Sequence, residues 1–150
     1  MKMFRGCLVL IFILFLSSIP ALADDKSLER QPPLPQEHIR KLKRIAVFIA
    51  AELQRRPVKS VTVEDFTDFH KRPSATGTRM AREFSRQLAA LGDKKFMVVE
   101  AGAEAIVAGT LVPFKDGGKW KLDIKVVSAD KGKIITTYTG ILKKARPAKK

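Results

Sequence analysis

The sequence predicts a small α/β fold of the α+β type, in which two helices pack on a small mixed sheet. Two observations carry this prediction. Apolar residues recur three or four positions apart in two separate stretches, which is the spacing of one side of a helix. Around them lie short runs that are rich in valine or that alternate apolar and polar residues, as strands do. The elements follow the order α-β-α-β-β-β-β, and the last three strands should form a C-terminal antiparallel meander.

The first 23 residues have the pattern of a signal peptide. Lys2 and Arg5 supply the positive start, residues 7–16 are an unbroken apolar run, and residues 21–23 (ALA) offer small side chains to the peptidase. The alternative is an uncleaved membrane anchor, but the run is well short of the roughly 20 residues that span a bilayer. We therefore expect export with cleavage after Ala23, giving a periplasmic or outer-membrane-associated protein.

The single cysteine, Cys7, stands at the start of the apolar run, whereas a lipid-accepting cysteine follows such a run. Lipid attachment is therefore not indicated. Cleavage would leave a mature chain without cysteine, which excludes a disulfide, a thiolate nucleophile and a sulfur-ligated metal site.

The mature chain would be strongly basic. Removing residues 1–23 takes away two of the 29 basic residues and none of the 15 acidic ones, so the formal net charge falls from +14 to +12. In the cytosol such a charge would indicate nucleic acid as a partner. Export argues against that class and points instead to phospholipid head groups, lipopolysaccharide phosphates or acidic proteins.

The mature chain begins with a polar, proline-rich stretch at 24–36, which predicts a flexible lead-in to a single domain over 37–142. Residues 37–56 have helical periodicity, and Pro57 should end the helix. The sequence is compatible with a core helix or with a membrane-surface helix. The core helix is favoured because the basic residues crowd one end instead of lining a whole face. Those basic residues are Arg40, Lys41, Lys43 and Arg44.

The middle of the chain predicts a strand, a helix and a second strand. Residues 58–66 have the alternation of a strand, and a loop should follow them. Ser74 or Thr76 can cap the next helix, which is predicted over 78–91. Residues 95–100 (KFMVVE) then form a short strand.

The last third of the domain is rich in strands. Residues 105–114 form the first strand of the predicted meander, and Asp-Gly-Gly at 116–118 forms a turn. Residues 119–127 (KWKLDIKVV) alternate strictly, which predicts one face in the core and one in water. Residues 133–142 complete the meander, and the basic tail at 143–150 is predicted to be disordered.

These stretches taken in order resemble a family of cell-envelope proteins. Residues 61–68 (VTVEDFTD), the helix at 76–92, the strand 96–100 (FMVVE) and residues 107–114 (VAGTLVPF) are similar to the curli-secretion-channel and flagellar-assembly protein O (CsgG/FlgO-like) group. Relatives of that group include lipoprotein activators of penicillin-binding proteins. The resemblance covers about residues 40–142. It implies a non-catalytic envelope protein that takes part in secretion, assembly of flagellar or other surface structures, or regulation of other proteins.

Two departures from the family pattern limit what the resemblance implies. The chain lacks the lipid-accepting cysteine, and only residues 101–105 stand where the family has a further helix. A parallel crossover normally needs a dozen or more residues. The strand at 96–100 should therefore lie at an edge or pair differently, and the chain has no spare sequence for the membrane-spanning hairpins of a pore.

The stretch 63–70 (VEDFTDFH) raises the question of a metal or acid–base site. Asp65, Asp68 and His70 could donate oxygen and nitrogen ligands. However, Asp65 and Asp68 have opposite parity along a strand, and the second histidine of the chain, His38, belongs to a distant helix. We expect no metal and no cofactor here. The alternative use of the two aspartates is to accept hydrogen bonds from loop N–H groups after the strand.

Nucleophilic catalysis has weak support in the sequence. The mature serines do not occur in the GxSxG or SxxK patterns, and the chain has no glycine-rich phosphate loop. A hydrolase assembled from distant residues remains as an alternative, but the sequence favours a protein that is not an enzyme.

The candidate binding site is a basic cluster around the start of the second helix: Lys71, Arg72, Arg79 and Arg82. A helix N-terminus already favours anions, and guanidinium groups can grip a phosphate or carboxylate bidentately. We expect these residues to bind an acidic envelope protein. One alternative partner is an anionic lipid or lipopolysaccharide. The other interpretation is a solvated basic face without a ligand, and it applies equally to Lys119, Lys121 and Lys125 in the predicted meander.

Overall fold

A computed structural model describes residues 33–115 and 119–143. The predicted signal peptide, the lead-in before residue 33, the turn at 116–118 and the tail after residue 143 lie outside the described residues. Predictions about these segments stay predictions.

The first helix, α1, spans Gln36–Gln54 and buries its apolar stripe, which confirms the core helix. The largest side chains of that stripe are fully buried: Leu42, Ile45, Ile49 and Leu53. The helix starts one residue earlier than predicted and ends two residues earlier, so Arg55 and Arg56 lie beyond it. The reason is Pro57, because a proline disfavours helical backbone in the residue that precedes it.

The second helix, α2, spans Ala75–Gly92 and starts three residues earlier than predicted. Ser74 provides the cap, because its side-chain oxygen accepts a hydrogen bond of 3.0 Å from the backbone N–H of Gly77. Phe84 and Leu88 of this helix are fully buried. Gly92, predicted as the stop, is the last helical residue.

The sheet has six strands, two of them very short. The strands are β1 (Ser60–Val63), β2 (Thr67–Asp68), β3 (Met97–Val98), β4 (Ala105–Pro113), β5 (Lys119–Ser128) and β6 (Ile134–Lys143). Their order across the sheet is β3-β1-β4-β5-β6, and β2 pairs with β4. The pairs β1–β3, β1–β4 and β2–β4 are parallel, whereas β4, β5 and β6 form the predicted antiparallel meander. The mixed α+β fold is therefore confirmed.

The strand predicted over 58–66 is interrupted. Strand β1 ends at Val63, and the chain resumes pairing with β4 at Thr67 as β2, which the sequence did not predict. Between them Phe66 turns into the core and is fully buried, with its ring centroid 5.9 Å from that of Phe84. Burial of this ring requires a local break in the alternation, because strict alternation from Val61 and Val63 would leave residue 66 on the opposite face.

The short connection between β3 and β4 is possible because β3 has only two residues. Both strands flank β1 in parallel, and the chain returns through residues 99–104. The return crosses two strand spacings, about 10 Å, and six extended residues reach roughly 20 Å. Glu104 fixes the loop by accepting a 2.7 Å hydrogen bond from the N–H of Lys59. Strand β3 is an edge strand, as one of the two predicted arrangements required.

Both helices lie on the same face of the sheet. The buried residues of β4 and β5, such as Val107 and Ile124, join α1 and α2 in a single core. His38 at the start of α1 is buried, and its Nε2 forms a short hydrogen bond with the carbonyl oxygen of Lys143 at the end of β6. The fold therefore has two layers, and no described element covers the second face of the sheet.

Candidate functional site

Asp68, in the stretch that suggested a metal or acid–base site, organises its own loop. Its Oδ1 accepts hydrogen bonds from the backbone N–H groups of His70 at 2.7 Å and Arg72 at 2.9 Å. Its Oδ2 pairs with the Arg72 guanidinium, also at 2.9 Å. The backbone N–H of Arg72, followed by its guanidinium, holds the pKa of Asp68 below its usual value of 3.8. This carboxylate has the predicted loop-capping role.

Asp65 has a different partner from the one predicted. Its Oδ2 accepts a hydrogen bond of 2.9 Å from the hydroxyl of Thr78 in the first turn of α2, instead of from a loop N–H. His70 stacks edge-on against exposed Phe69, with ring centroids 5.3 Å apart. Within residues 33–115 and 119–143, no group of three or more histidine, cysteine or acidic side chains is arranged to hold a metal ion.

The four cations of the predicted basic cluster occupy different surroundings. Lys71, whose backbone has a φ of 63°, reaches across to β4 and donates a 3.0 Å hydrogen bond to the hydroxyl of Thr110. Arg72 is paired with Asp68. Arg79 and Arg82 project from α2, on the helical layer of the fold. Their joint action on one ligand stays a prediction.

Through its contact with Thr110, Lys71 lies next to the face of the sheet on which neither helix packs. We call this surface the open sheet face. Its side chains alternate with the core residues of β4, β5 and β6: Ile106, Thr110, Val112, Lys121, Asp123, Lys125, Thr137, Thr139 and Ile141. The strict alternation of 119–127 predicted the β5 part. The contributions of β6 depend on which residues pair across strands, and the sequence alone does not give that register.

Asp123 lies at the centre of the open sheet face among cations and hydroxyls. It accepts a 2.7 Å hydrogen bond from Thr139 and forms a 3.0 Å ion pair with Lys121. Partial burial raises the pKa of Asp123, but the Thr139 hydroxyl, Lys121 and the nearby charge of Lys125 outweigh burial and hold that pKa below 3.8. The carboxylate thus stays ionised and is matched by a neighbouring lysine.

The rest of the open sheet face combines exposed apolar groups with unmatched positive charge. Ile141 is 54% exposed and lies opposite Lys121 across the β5–β6 pair. Lys125 is exposed opposite Thr137. Together with Lys71 and Lys121 it outnumbers the single acid Asp123, so this face is suited to an acidic surface with apolar contacts.

A separate open cleft of about 800 Å³ lies at one end of the sheet. It is bordered by the turn after α1, the loop before β4 and the β5–β6 turn, and it contains two carboxylates. Glu104 accepts the N–H of Lys59, and Asp130 accepts a short hydrogen bond from the hydroxyl of Ser128. Both acids therefore hold the local backbone or side chains, and the geometry gives no pair arranged for acid–base chemistry.

Among the described residues, no helix is long and apolar enough to cross a membrane.

Comparisons with known proteins give a likeness of fold. No family model and no curated protein sequence matches the chain. The structure is similar to the LpoB C-terminal domain from Escherichia coli, with a TM-score of 0.50 and 11% identity, covering 69% of this chain and 99% of that domain. The LpoB C-terminal domain from Salmonella enterica gives a TM-score of 0.49 and 11% identity over 69% of this chain and 96% of that one. Lipoprotein GNA1162 from Neisseria meningitidis gives a TM-score of 0.41 and 13% identity. That likeness covers 57% of this chain and 80% of GNA1162. At these identities the likeness concerns the fold alone.

Proposed function

We propose that this chain is a non-catalytic interaction module of the bacterial cell envelope, which binds an acidic protein through the open sheet face. The observation that carries the proposal is the second face of the sheet, which no element within residues 33–115 and 119–143 covers. An antiparallel sheet often leaves one face to water, but such a face is usually strongly polar. Here Ile141 is 54% exposed beside Lys121, and apolar groups next to lysines are typical of a docking surface.

The positions of the carboxylates support a binding role over catalysis. Asp65, Asp68 and Glu104 each accept a hydrogen bond that fixes a loop or a helix start. A general base needs access to a substrate proton, and these acids are already engaged in the fold. Asp65 and Asp68 in the stretch 63–70 therefore have structural roles that require no reaction.

The comparisons support the broad class of the role. The likeness to the LpoB C-terminal domain from Escherichia coli covers 99% of that domain. This favours the part of the sequence resemblance that concerns lipoprotein activators of penicillin-binding proteins. We accordingly propose a periplasmic or outer-membrane-associated protein that acts in assembly of the outer envelope. A role in flagellar or other surface structures stays a prediction from the resemblance.

The charge of the open sheet face specifies the chemistry of the partner. Lys71, Lys121 and Lys125 favour an acidic surface, and the apolar Ile141 favours a partner with an apolar side chain among its acids. Binding should weaken as salt is raised, because the lysines are exposed and their charges are screened over about 8–10 Å at physiological ionic strength. Arg72, Arg79 and Arg82 are proposed as a second contact region, extending from the Lys71 loop towards α2.

In-cell photo-crosslinking of the mature protein tests the proposal. A photo-crosslinking amino acid replaces Thr137 on the open sheet face, and a matched variant carries it in place of Ala90, which is exposed on α2. We expect a defined protein adduct from position 137 that is absent from position 90, and mass spectrometry should identify an acidic envelope protein. The same background at both positions would contradict the assignment of the open sheet face.

A further inference from the structure

A second surface with its own chemistry covers the outer side of α1 and the adjoining flank, where Lys41 and Phe48 contact Tyr138 of β6. We call it the α1–β6 patch. It consists of Arg40, Lys41, Arg44, Val47, Phe48 and Tyr138. Helical spacing places Arg40, Arg44 and Val47 on one line along α1, directly opposite the buried stripe.

The centre of the α1–β6 patch is apolar and held in place. Phe48 is 41% exposed, and its ring centroid lies 5.7 Å from that of Tyr138. Lys41 places its Nζ 5.8 Å from the centre of the Tyr138 ring, a cation–π contact. Beside it Val47 is 49% exposed. The aromatic pair is therefore fixed by the fold while its edge remains accessible.

The glycine at position 140 makes this arrangement possible. A Cβ on Gly140 would lie 2.8 Å from Cε1 of Tyr138 and 3.1 Å from Cε of Lys41. Its absence lets the tyrosine ring and the lysine stem lie over the strand. The position of the Tyr138 ring thus depends on Gly140 in its own strand and on Lys41 and Phe48 in α1. The packing of α1 beside β6 therefore holds the patch in place.

The cations around the aromatic pair have no acid partner in the part of the chain that the structure describes. Arg40 and Arg44 of the patch, and Lys43 beside them on the helix, are exposed and take part in none of its ion pairs. By contrast, Arg55 just after the same helix is paired with Glu52 at 2.9 Å. Three unmatched positive charges on one helical surface repel one another, and an acidic partner would relieve that repulsion.

The shape of the patch favours a protein over a membrane. A helix that lies on a bilayer inserts a broad apolar face, and the broad apolar face of α1 is already used in the core, where Leu42, Ile45 and Ile49 are fully buried. The large apolar side chains that remain exposed on α1 are Val47 and Phe48. A small fixed aromatic centre with arginines on the same helix is instead the composition of a protein–protein hot spot.

We infer that the α1–β6 patch is a second docking surface, which takes an acidic protein segment that places an apolar side chain against Phe48 and carboxylates against Arg40 and Arg44. This inference goes beyond the open sheet face, since it uses different residues on the other layer of the fold. The module would then be able to hold two acidic surfaces at once.

A titration followed by NMR of the isotope-labelled mature protein tests the inference. The probe is a synthetic amphipathic helix with glutamates on one side and leucines on the other. Peptide binding should shift the amide signals of residues 40–48 and of Tyr138. The double variant R40E/R44E should weaken binding about tenfold or more, and Phe48→Ala should weaken it by a similar factor, because each removes about 1.4 kcal/mol or more of contact free energy.

Matched controls separate this surface from general charge effects. K94E/K95E makes the same change in net charge on exposed lysines after α2 and should leave peptide binding within about twofold. K121E/K125E on the open sheet face should also leave peptide binding unchanged. The titration therefore tests the α1–β6 patch independently of the proposal for the open sheet face. Equal weakening by K94E/K95E, or signal shifts confined to the open sheet face, would overturn the inference.

A parallel titration with vesicles of phosphatidylglycerol and phosphatidylethanolamine covers the membrane alternative. The inference predicts no shift of the signals of residues 40–48 with vesicles at physiological salt. Vesicle binding through these residues, with no response to the peptide, would assign the patch to a lipid surface and reject the protein partner.

Discussion

The backbone carbonyl of Phe66 occupies the space beside Gly77 that any other residue would need for its side chain. A Cβ at position 77 would lie 1.9 Å from the Phe66 oxygen and 2.8 Å from its carbonyl carbon. The start of α2 is therefore pressed directly against the backbone break that separates β1 from β2. The break lets Phe66 enter the core, so this contact links residue 66 of the stretch 61–68 to the position of the second helix.

Replacing Gly77 with alanine should be strongly destabilising. The obstacle is backbone, which cannot rotate away, so we expect Gly77→Ala to lower the free energy of unfolding by about 2–4 kcal/mol, even though alanine favours the helix. Gly92→Ala is the matched control. Its Cβ would meet the ring of Phe96 at 3.2 Å, and a ring at a helix end can shift. That variant should stay within about 1 kcal/mol of wild type. Equal midpoints of urea denaturation for Gly77→Ala and Gly92→Ala would contradict this prediction.

Phe66 and Gly109 should be energetically coupled. A Cβ on Gly109 would lie 2.4 Å from Cδ1 of the Phe66 ring, so the glycine on β4 accommodates the phenylalanine. Phe66→Ala should cost about 3–5 kcal/mol, and Gly109→Ala about 1–3 kcal/mol. In the double variant the new methyl enters space that the ring has vacated, so the combined loss should fall short of the sum by about 1–3 kcal/mol. A double-mutant cycle with additive losses would show that the two residues do not share this space.

Asp68 should make stability depend on pH. Hydrogen bonds led by the Arg72 N–H lower the pKa of the folded-state carboxyl below 3.8, so the ionised form favours folding. This contribution is fully present above the unfolded pKa and is lost as pH falls through the folded one. The stability gap between wild type and Asp68→Asn should therefore be constant near neutral pH and close in the acid range below about pH 4.

Arg72→Ala tests the origin of that effect, because it removes the guanidinium and keeps the backbone N–H. Most of the pH dependence should survive in this variant, as the backbone bond is the larger cause. If Arg72→Ala flattens the dependence as completely as Asp68→Asn does, the surface ion pair and not the loop cap is responsible. Chemical denaturation in the pH range 3–7 measures both variants.

Gly140→Ala should displace the tyrosine of the α1–β6 patch. The added Cβ would come within 2.8 Å of the Tyr138 ring, which must then leave its place against Phe48. We expect a loss of about 1–3 kcal/mol in stability and altered ring-current shifts of the Phe48 signals. Tyr138 is the only tyrosine of the chain, so its resonances are readily assigned. Unchanged Phe48 shifts would show that the ring does not depend on the glycine.

Much of the architecture is encoded in local periodicity. The stripe of α1 and the alternation of 119–127 each predict an element and its buried face, and both agree with the structure. The break between β1 and β2 could not be predicted, because it depends on Phe66 fitting between Gly77 and Gly109, which lie far apart in the sequence. Local patterns do not report such contacts.

The candidate surfaces were predictable only in part. Lys121 and Lys125 were recognisable as solvent-facing from their alternation, and Lys71 as a loop cation. That these lysines lie on one surface was not predictable. Lys71 contacts Thr110 because β2 pairs with β4, and the sequence did not predict that pairing. The aromatic pair of the α1–β6 patch likewise joins residues 90 positions apart, namely 48 and 138.

Charge reversal on the open sheet face tests the central claim most directly. The yield of the in-cell adduct from position 137 is compared between the otherwise unchanged protein, K121E/K125E, and K94E/K95E, which carries the same change in net charge elsewhere. If the open sheet face binds an acidic protein, K121E/K125E should reduce the adduct about tenfold, and K94E/K95E should leave it nearly unchanged. An adduct that persists in K121E/K125E, or that falls equally in both variants, would contradict the claim.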